Sequence, residues 1–292
     1  MKPAHYDDPV AAYDQLAAHY AGISRKREPY LRGVEHEIIS RIPPCSRSIL
    51  DLGAGDGSRS LRLASQSGIE RIVLVEPSKE MASKSAEHAE VWPIRAENLD
   101  QQCIENVGTA APGCPVERSS TSSPDRQEDR FGARKAGSYH ISEQFDVITC
   151  LWNVLGHIPS AENRLRSLCA VAQLLSPNGK FFLDVTHRYN FRAYGIVPTC
   201  GRWIRDQLFP SEHNGNVVAK WTVDEFSIST YGHVFTHREI MCLTAAAGLE
   251  PEEQIVIDYE NGKIRRFGFQ GNLLYVFRRS SRIDSSSAPQ TS

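Results

Sequence analysis

Residues 49–58 constrain this chain more than any other stretch. Ile49, Leu50 and Leu52 run straight into Gly53, Gly55 and Gly57. The apolar residues suit a short buried strand. Alternate glycines then permit a sharp turn and let a ligand lie against bare main chain. Ser60, Leu61, Leu63 and Ala64 continue as helix. A strand, a glycine turn and a helix in that order open a parallel α/β sheet, with a ligand site at the strand's carboxyl end. The spacing from Asp51 is D-x-G-x-G-x-G, and Ser58 stands where the G-x-G-x-x-G dinucleotide fingerprint needs its third glycine. Asp51 is placed to accept hydrogen bonds within the turn.

The chain beyond repeats strand and helix. Residues 71–77 form an apolar strand that ends in Glu76 and is stopped by Pro77. An acid at the tip of the neighbouring parallel strand can accept both hydroxyls of a ribose. Ser78 suits a helix cap, and Met81 in the first turn can pack on a flat ring. Residues 91–98 read as a third strand and its exit, with Glu97 and Asn98 as candidates either for capping a turn or for an adenine amino group. Residues 145–153 are the fourth strand. A helix from about 160 to 175 stops at Ser176, Pro177, Asn178 and Gly179, and 180–185 is the fifth strand. A helix over 237–247 and strands over 254–258 and 272–277 complete the sheet. Strand–helix–strand order implies right-handed crossovers and a parallel sheet.

Residues 1–44 read as an N-terminal helical cap, with helices over 9–20 and from about 29 to 42. Tyr13 and Tyr20 fall on the apolar face of the first. The main domain spans 45–279. Within it, residues 101–141 hold proline, glycine, serine and mixed charge but little apolar material. Such a segment cannot offset the entropy of ordering it, so a disordered surface insertion is expected. Residues 187–234 are rich in aromatics, with two strands over 216–223 and 226–234, and are expected as a lid over the active site. The serine-rich 280–292 is expected as a disordered tail.

A formal charge of −2 and the absence of a basic stripe speak against nucleic acid as substrate, although Arg202, Trp203, Ile204 and Arg205 form a small basic-aromatic patch. No apolar run approaches a membrane span, and residues 1–8 hold no apolar signal core. The seven cysteines show no C-x-x-C pair or zinc spacing, and no histidine or acid cluster suggests a metal. A cytoplasmic protein with reduced core cysteines is expected.

Taken together, residues 49–57, Glu76, residues 96–99, 145–148 and 175–180 resemble the class I S-adenosylmethionine-dependent methyltransferases. The resemblance covers residues 45–186 apart from the insertion. It implies an α/β, Rossmann-like three-layer sandwich whose seven-stranded sheet has the order 3-2-1-4-5-7-6, the seventh strand antiparallel. It implies S-adenosyl-L-methionine as cofactor. Gly53 and Gly55 then meet its amino-acid part, with Ala54 between them. Glu76, followed by Pro77, binds the ribose. Ala96 and Glu97 lie by the adenine, and Leu151 lies near the methionine part; Met81 either packs on the adenine or fills the core. Tyr20 is either a core residue of its amphipathic helix or covers the sulfonium, where an aromatic face favours a cation. Arg95 stands where the family often has an acid.

Residues 153–157 and the tyrosine-bearing first helix look like the small-molecule branch related to glycine N-methyltransferase. Residues 184–190 are similar to that branch's segment after the fifth strand, where an arginine holds a substrate carboxylate. By this resemblance Arg188 orients a small-molecule acceptor that bears an acidic group and is methylated on nitrogen or oxygen; an exposed arginine pairing with a nearby acid is its other reading. Methyl transfer needs alignment above all, and a base only if the acceptor must first lose a proton. His157 stands where such a base would sit; orienting the loop after strand four by hydrogen bonds is its other role. His187 and His233 share that ambiguity. Two other functions stay open: a nicotinamide-dependent oxidoreductase, and a non-catalytic, cofactor-binding partner subunit. The glycine spacing counts against the first, and the retained loop with Glu76 against a chain that merely keeps the fold. The sequence sets neither the acceptor nor the oligomeric state.

Overall fold

The computed structural model describes residues 8–85, 87–99, 144–223 and 226–281. The expected insertion at 101–141 and nearly all of the expected tail lie outside the described residues. Three helices come first: α1 (Pro9–Leu16), α2 (Tyr20–Lys26) and α3 (Glu28–Ile39). The Asp8 side chain accepts from the Val10 N–H, and Pro9 fills the first turn, where no N–H is needed. The sheet then alternates with helices through β1 (Ser48–Leu52), α4 (Ser58–Ser67), β2 (Arg71–Val75), α5 (Lys79–Ala82) and β3 (Glu90–Trp92). It resumes with β4 (Phe145–Cys150), α6 (Val154–His157), α7 (Ala161–Leu174) and β5 (Leu175–Val185). Next come α8 (Phe191–Tyr194), α9 (Ile196–Leu208), β6 (Asn216–Val223) and β7 (Phe226–His233). The last elements are α10 (His237–Ala246), β8 (Leu249–Ile257), β9 (Ile264–Arg265) and β10 (Asn272–Arg279).

The main sheet has eight strands in the order β3-β2-β1-β4-β5-β10-β8-β9. β1 lies parallel to β2 and β4, and β4 parallel to β5. β10 inserts between β5 and β8, antiparallel to both. The long strands therefore carry the expected 3-2-1-4-5-7-6 order, and the short β9 adds an eighth strand at one edge. β5 starts earlier than expected. Phe145 faces Leu175 but Val147 faces Lys180, so residues 176–179 bulge out of an otherwise continuous strand. β6 and β7 pair only with each other, as a separate antiparallel hairpin.

Side chains alternate across each strand and divide the core into two layers. Leu50, Leu52, Ile148, Phe181 and Leu183 pack on one face, with Leu168 and Val171 of α7 and Ile240 of α10. Ile49, Val147, Phe182 and Leu274 pack on the other, with Val34 and Ile38 of α3 and Leu63 of α4. Burial on both faces explains why these strands read as unbroken apolar runs. Among the described residues no helix is long and apolar enough to cross a membrane.

Candidate active site

Parallel strands bring the loops after β1, β2 and β4 to one edge of the sheet. There they enclose a cavity. Gly53, Gly55, Glu76 and Pro77 line it, as do Ala96 and Glu97 from the exit of β3. Leu151, Trp152, Val154 and His157 after β4 form another part of the wall, and Tyr13 and Tyr20 complete it from the first two helices.

Two glycines of the loop after β1 line the cavity. Gly53 and Gly55 have φ of +64° and +61°, in the left-handed region that other residues avoid. A Cβ on Gly53 would meet the Val154 side chain at 2.4 Å, and one on Gly55 would stand 3.1 Å from the Tyr20 hydroxyl. The Gly53 and Ala54 N–H groups both donate to the Val75 carbonyl, which folds the loop against β2. The Gly55 N–H donates to Glu76 Oε2 at 2.8 Å, and the Ser78 N–H to Oε1 at 2.9 Å. Each carboxylate oxygen keeps acceptor capacity beyond its backbone partner. Burial pushes the Glu76 carboxyl up to about 7, against those two bonds, and the charges of Asp51 and Asp14 add to the rise.

Three residues depart from their expected places. Asp51 accepts from Ser60 Oγ and, at 2.6 Å, from Thr149 Oγ1, so it ties α4 to β4 instead of bracing the turn. It is a strand residue, and its side chain follows the sheet face that carries Ile49. Met81 is fully buried against Ala12, Leu16 and Tyr20 and does not line the cavity. Ala54 is also buried and does not line the cavity.

Arg59 is a cavity residue that the sequence reading passed over. It stands in the first turn of α4, where a cation opposes the helix dipole. That misfit is the signal available in the sequence. Its guanidinium lies 5.9 Å from the Trp152 ring centre, and its buried Nη1 has no hydrogen-bond partner among the described residues.

A second cavity, of about 470 Å³, adjoins the first, and Trp152 and His157 line both. Asn153 and Thr186 contribute from the sheet edge. Tyr194, Arg202 and residues of β6 contribute from the 187–234 segment. His157 Nδ1 lies 2.9 Å from the Tyr231 carbonyl, and Nε2 lies 3.2 Å from the Tyr13 hydroxyl. A carbonyl only accepts, so this network assigns the proton to Nδ1 and leaves the Nε2 lone pair to Tyr13. Burial lowers the His157 pKa and keeps the ring neutral at pH 7.

Arg188 lines neither cavity, contrary to its expected place at the acceptor. It is 5% exposed, and its fork is filled by Asp206 at 3.1 Å, Glu239 at 2.8 Å and the Val234 carbonyl at 3.1 Å. Two carboxylates and a carbonyl leave that guanidinium little to offer a ligand. His187 and His233 are similarly committed. His187 Nδ1 donates to the Gly268 carbonyl at 2.8 Å, and burial pushes its pKa down to about 4. His233 sits between Asn216 Oδ1 at 2.7 Å and Glu239 Oε1 at 2.6 Å.

A parallel sheet with its last strand reversed, a glycine turn after β1 and an acid at the tip of β2 define a nucleoside-binding α/β protein of the class I transferase type. The chain belongs to the methyltransferase domain family, whose profile matches residues 24–254. Among solved structures it is similar to the CcbJ methyltransferase from Streptomyces caelestis, at 16% identity over 94% of this chain and 100% of that one, with a TM-score of 0.60. It is similar to the sugar N-methyltransferase KedS8 from Streptoalloteichus sp. at 16% identity, over 96% and 98% of the two chains, TM-score 0.53. The SAM-bound amino pentose methyltransferase CalS10 from Micromonospora echinaspora matches at 14% identity, over 89% and 96%, TM-score 0.53. Identities this low show a shared fold. A search of curated protein sequences finds no match. The chain is thus an S-adenosylmethionine-dependent methyltransferase.

Proposed function

We propose that this enzyme methylates a nitrogen or oxygen of a small molecule held in the second cavity. One observation carries this reading: Trp152 and His157 line both cavities, so donor and acceptor meet across a single shared wall. Bound in the first cavity, S-adenosylmethionine supplies a sulfonium-activated methyl group, whose C–S electron pair leaves with sulfur as the acceptor bonds to carbon.

The residues of the first cavity fit that cofactor. Gly53 and Gly55 leave bare backbone for the amino-acid part, and the partnerless Nη1 of Arg59 suits its carboxylate. The remaining lone pairs of Glu76 take the ribose hydroxyls. Pro77, Ala96 and Glu97 flank the adenine, while Leu151 and Tyr20 flank the sulfonium. Burial pushes the Tyr20 hydroxyl up to about 12, so it stays neutral there. The enclosed space is only about 90 Å³, below the roughly 300 Å³ at the small end of ligand pockets. Cofactor binding would therefore displace the Tyr13 side chain and free His157 Nε2.

His157 then accepts the proton that the acceptor loses, its tautomer fixed by Tyr231. The 187–234 segment acts as the lid of the acceptor cavity. Titration calorimetry with S-adenosylmethionine and with NAD, followed by a methyl-transfer screen of small molecules using this chain alone, tests the reading. Tight cofactor binding and turnover of a small acceptor are expected. NAD binding in place of the sulfonium ligand would restore the oxidoreductase reading, and binding without any turnover the partner-subunit reading.

A further inference from the structure

We propose that the second cavity selects an acceptor bearing an anionic group, a carboxylate or a phosphoryl group, held chiefly by Arg202 and Lys220. The inference rests on reading that cavity as the acceptor site. Four cationic side chains line it, Lys26, Arg27, Arg202 and Lys220, and among the described residues no aspartate or glutamate does. The two lysines are exposed, and the two arginines are half-buried. A cationic acceptor would enter against four like charges with no carboxylate to receive it. An anionic one is drawn in by the same field.

The arginines are also set in place before any ligand arrives. The Arg202 guanidinium stacks 4.2 Å from the Tyr194 ring centre, and that of Arg27 lies 4.4 Å from the Tyr259 ring centre. Such stacking fixes long side chains and reduces what binding must order. Two buried donors have no partner among the described residues: Arg202 Nη1 and Trp221 Nε1, both on residues that line this cavity. Guanidinium and indole N–H groups donate and never accept. A ligand oxygen with lone pairs relieves the desolvation cost they carry in the free protein. The Trp152 and Trp221 rings meet edge to face with centres 5.6 Å apart, giving the uncharged part of the acceptor an apolar wall beside His157. Anion recognition thus falls to α9 and β6, not to Arg188, which the acids Asp206 and Glu239 already hold.

The test is calorimetry on the full chain, with and without saturating S-adenosylhomocysteine. The probes are matched in shape and differ in charge: 4-hydroxyphenylacetate, its amide and tyramine; glucuronate, glucuronamide and glucosamine. Glucose 6-phosphate distinguishes a phosphoryl from a carboxylate preference. At least one anion should bind tenfold or more tightly than its neutral and cationic counterparts. Arg202→Gln should cut anion affinity at least tenfold while leaving S-adenosylhomocysteine affinity, and so the fold, intact. Lys220→Gln should weaken anion binding and flatten its salt dependence. Failure of every anion to bind, equal or tighter binding of an amide or amine, or an unaffected Arg202→Gln variant overturns the proposal. Failure of S-adenosylhomocysteine to bind the unaltered chain would instead overturn the reading of the first cavity.

Discussion

The Trp152 N–H donates to Asp184 Oδ2 at 2.9 Å, and this bond holds the wall that the two cavities share. Trp152 and Asn153 are consecutive residues with φ of +56° and +62°. A bulky side chain in that region is strained, and the strain persists only where the surroundings fix it. The surroundings do so from several sides. The Asp184 carbonyl accepts from the Asn153 N–H at 3.0 Å, and Asn153 Oδ1 accepts from the Thr186 N–H at 3.0 Å. The other Asp184 oxygen accepts from the Tyr30 hydroxyl, which anchors the turn to α3.

Asp184→Ala should therefore loosen the wall as well as the core. It strands the Trp152 N–H and the Tyr30 hydroxyl, at about 1–3 kcal/mol for each buried group left unpaired. Denaturant melts should register that loss of stability. Cofactor titrations should show weaker binding, because Trp152 relaxes from its strained position. An unchanged melt would mean that Asp184 does not hold the turn.

The pH dependence of cofactor binding should follow Glu76. Its carboxyl lies at about 7 in the free protein, above the ordinary 4.5, because burial disfavours the charge. Ribose hydroxyls donate to the ionised form, so binding lowers this pKa and releases a proton near neutral pH. Affinity should then rise as pH increases through about 7 and level off above it. Stability runs the other way. A carboxyl raised on folding contributes stability below about 4.5 that is lost as pH rises through about 7. Glu76→Gln should flatten both profiles and weaken binding by about 1–3 kcal/mol. Calorimetry in buffers of different ionisation enthalpy counts the proton. No release between pH 6 and 7 would remove Glu76 from the ribose site.

Much of this architecture is legible in the chain itself, because it is local. Apolar runs, a glycine turn and an acid ending a strand are short-range patterns, and they locate β1, β2 and Glu76. The bounds expected for β6 and β7 also follow from local alternation and lie within a residue of those observed. What sequence cannot show is pairing over distance. Arg188 reads either as a fork for a ligand or as an ion-pair partner, and the acids that decide between the two lie 18 and 51 residues further on. Asp51 reads as a turn residue until Ser60 and Thr149 are brought beside it. The cations of the second cavity come from three places in the chain, residues 26–27, 202 and 220, so their convergence shows only in the fold.

Arg188 should matter for stability and not for cofactor affinity. Its guanidinium bridges Asp206 and Glu239 and ties both to the Val234 carbonyl. Removing one partner of a buried ion pair costs about 3–5 kcal/mol, because the remaining charges lose their compensation. Arg188→Met should show a loss of that size in denaturant melts. Arg188→Lys should recover only part of it, since an ammonium cannot span two carboxylates and a carbonyl at once. Unaltered stability of the Lys variant would contradict the bridging role.

Arg59 offers the sharpest test of how the cofactor lies, because one ligand carries the carboxylate it would hold and a second, a neutral thioether, lacks the whole aminobutyrate chain that bears it. S-adenosylmethionine carries an amino-acid carboxylate; 5′-methylthioadenosine keeps the adenosine and sulfur and lacks that carboxylate. Arg59 Nη1 is a buried donor without a partner among the described residues, facing the cavity from the first turn of α4. A hydrogen bond to a charged group contributes about 1.5–3 kcal/mol, or roughly 10- to 150-fold in affinity. Arg59→Gln should lose about that much affinity for S-adenosylmethionine and almost none for 5′-methylthioadenosine. Gly55→Val serves as the contrast. A side chain at that left-handed position beside Tyr20 blocks the loop itself, so both ligands should be lost. Equal losses for the two ligands in Arg59→Gln would mean that the arginine shapes the loop, and that the carboxylate lies elsewhere.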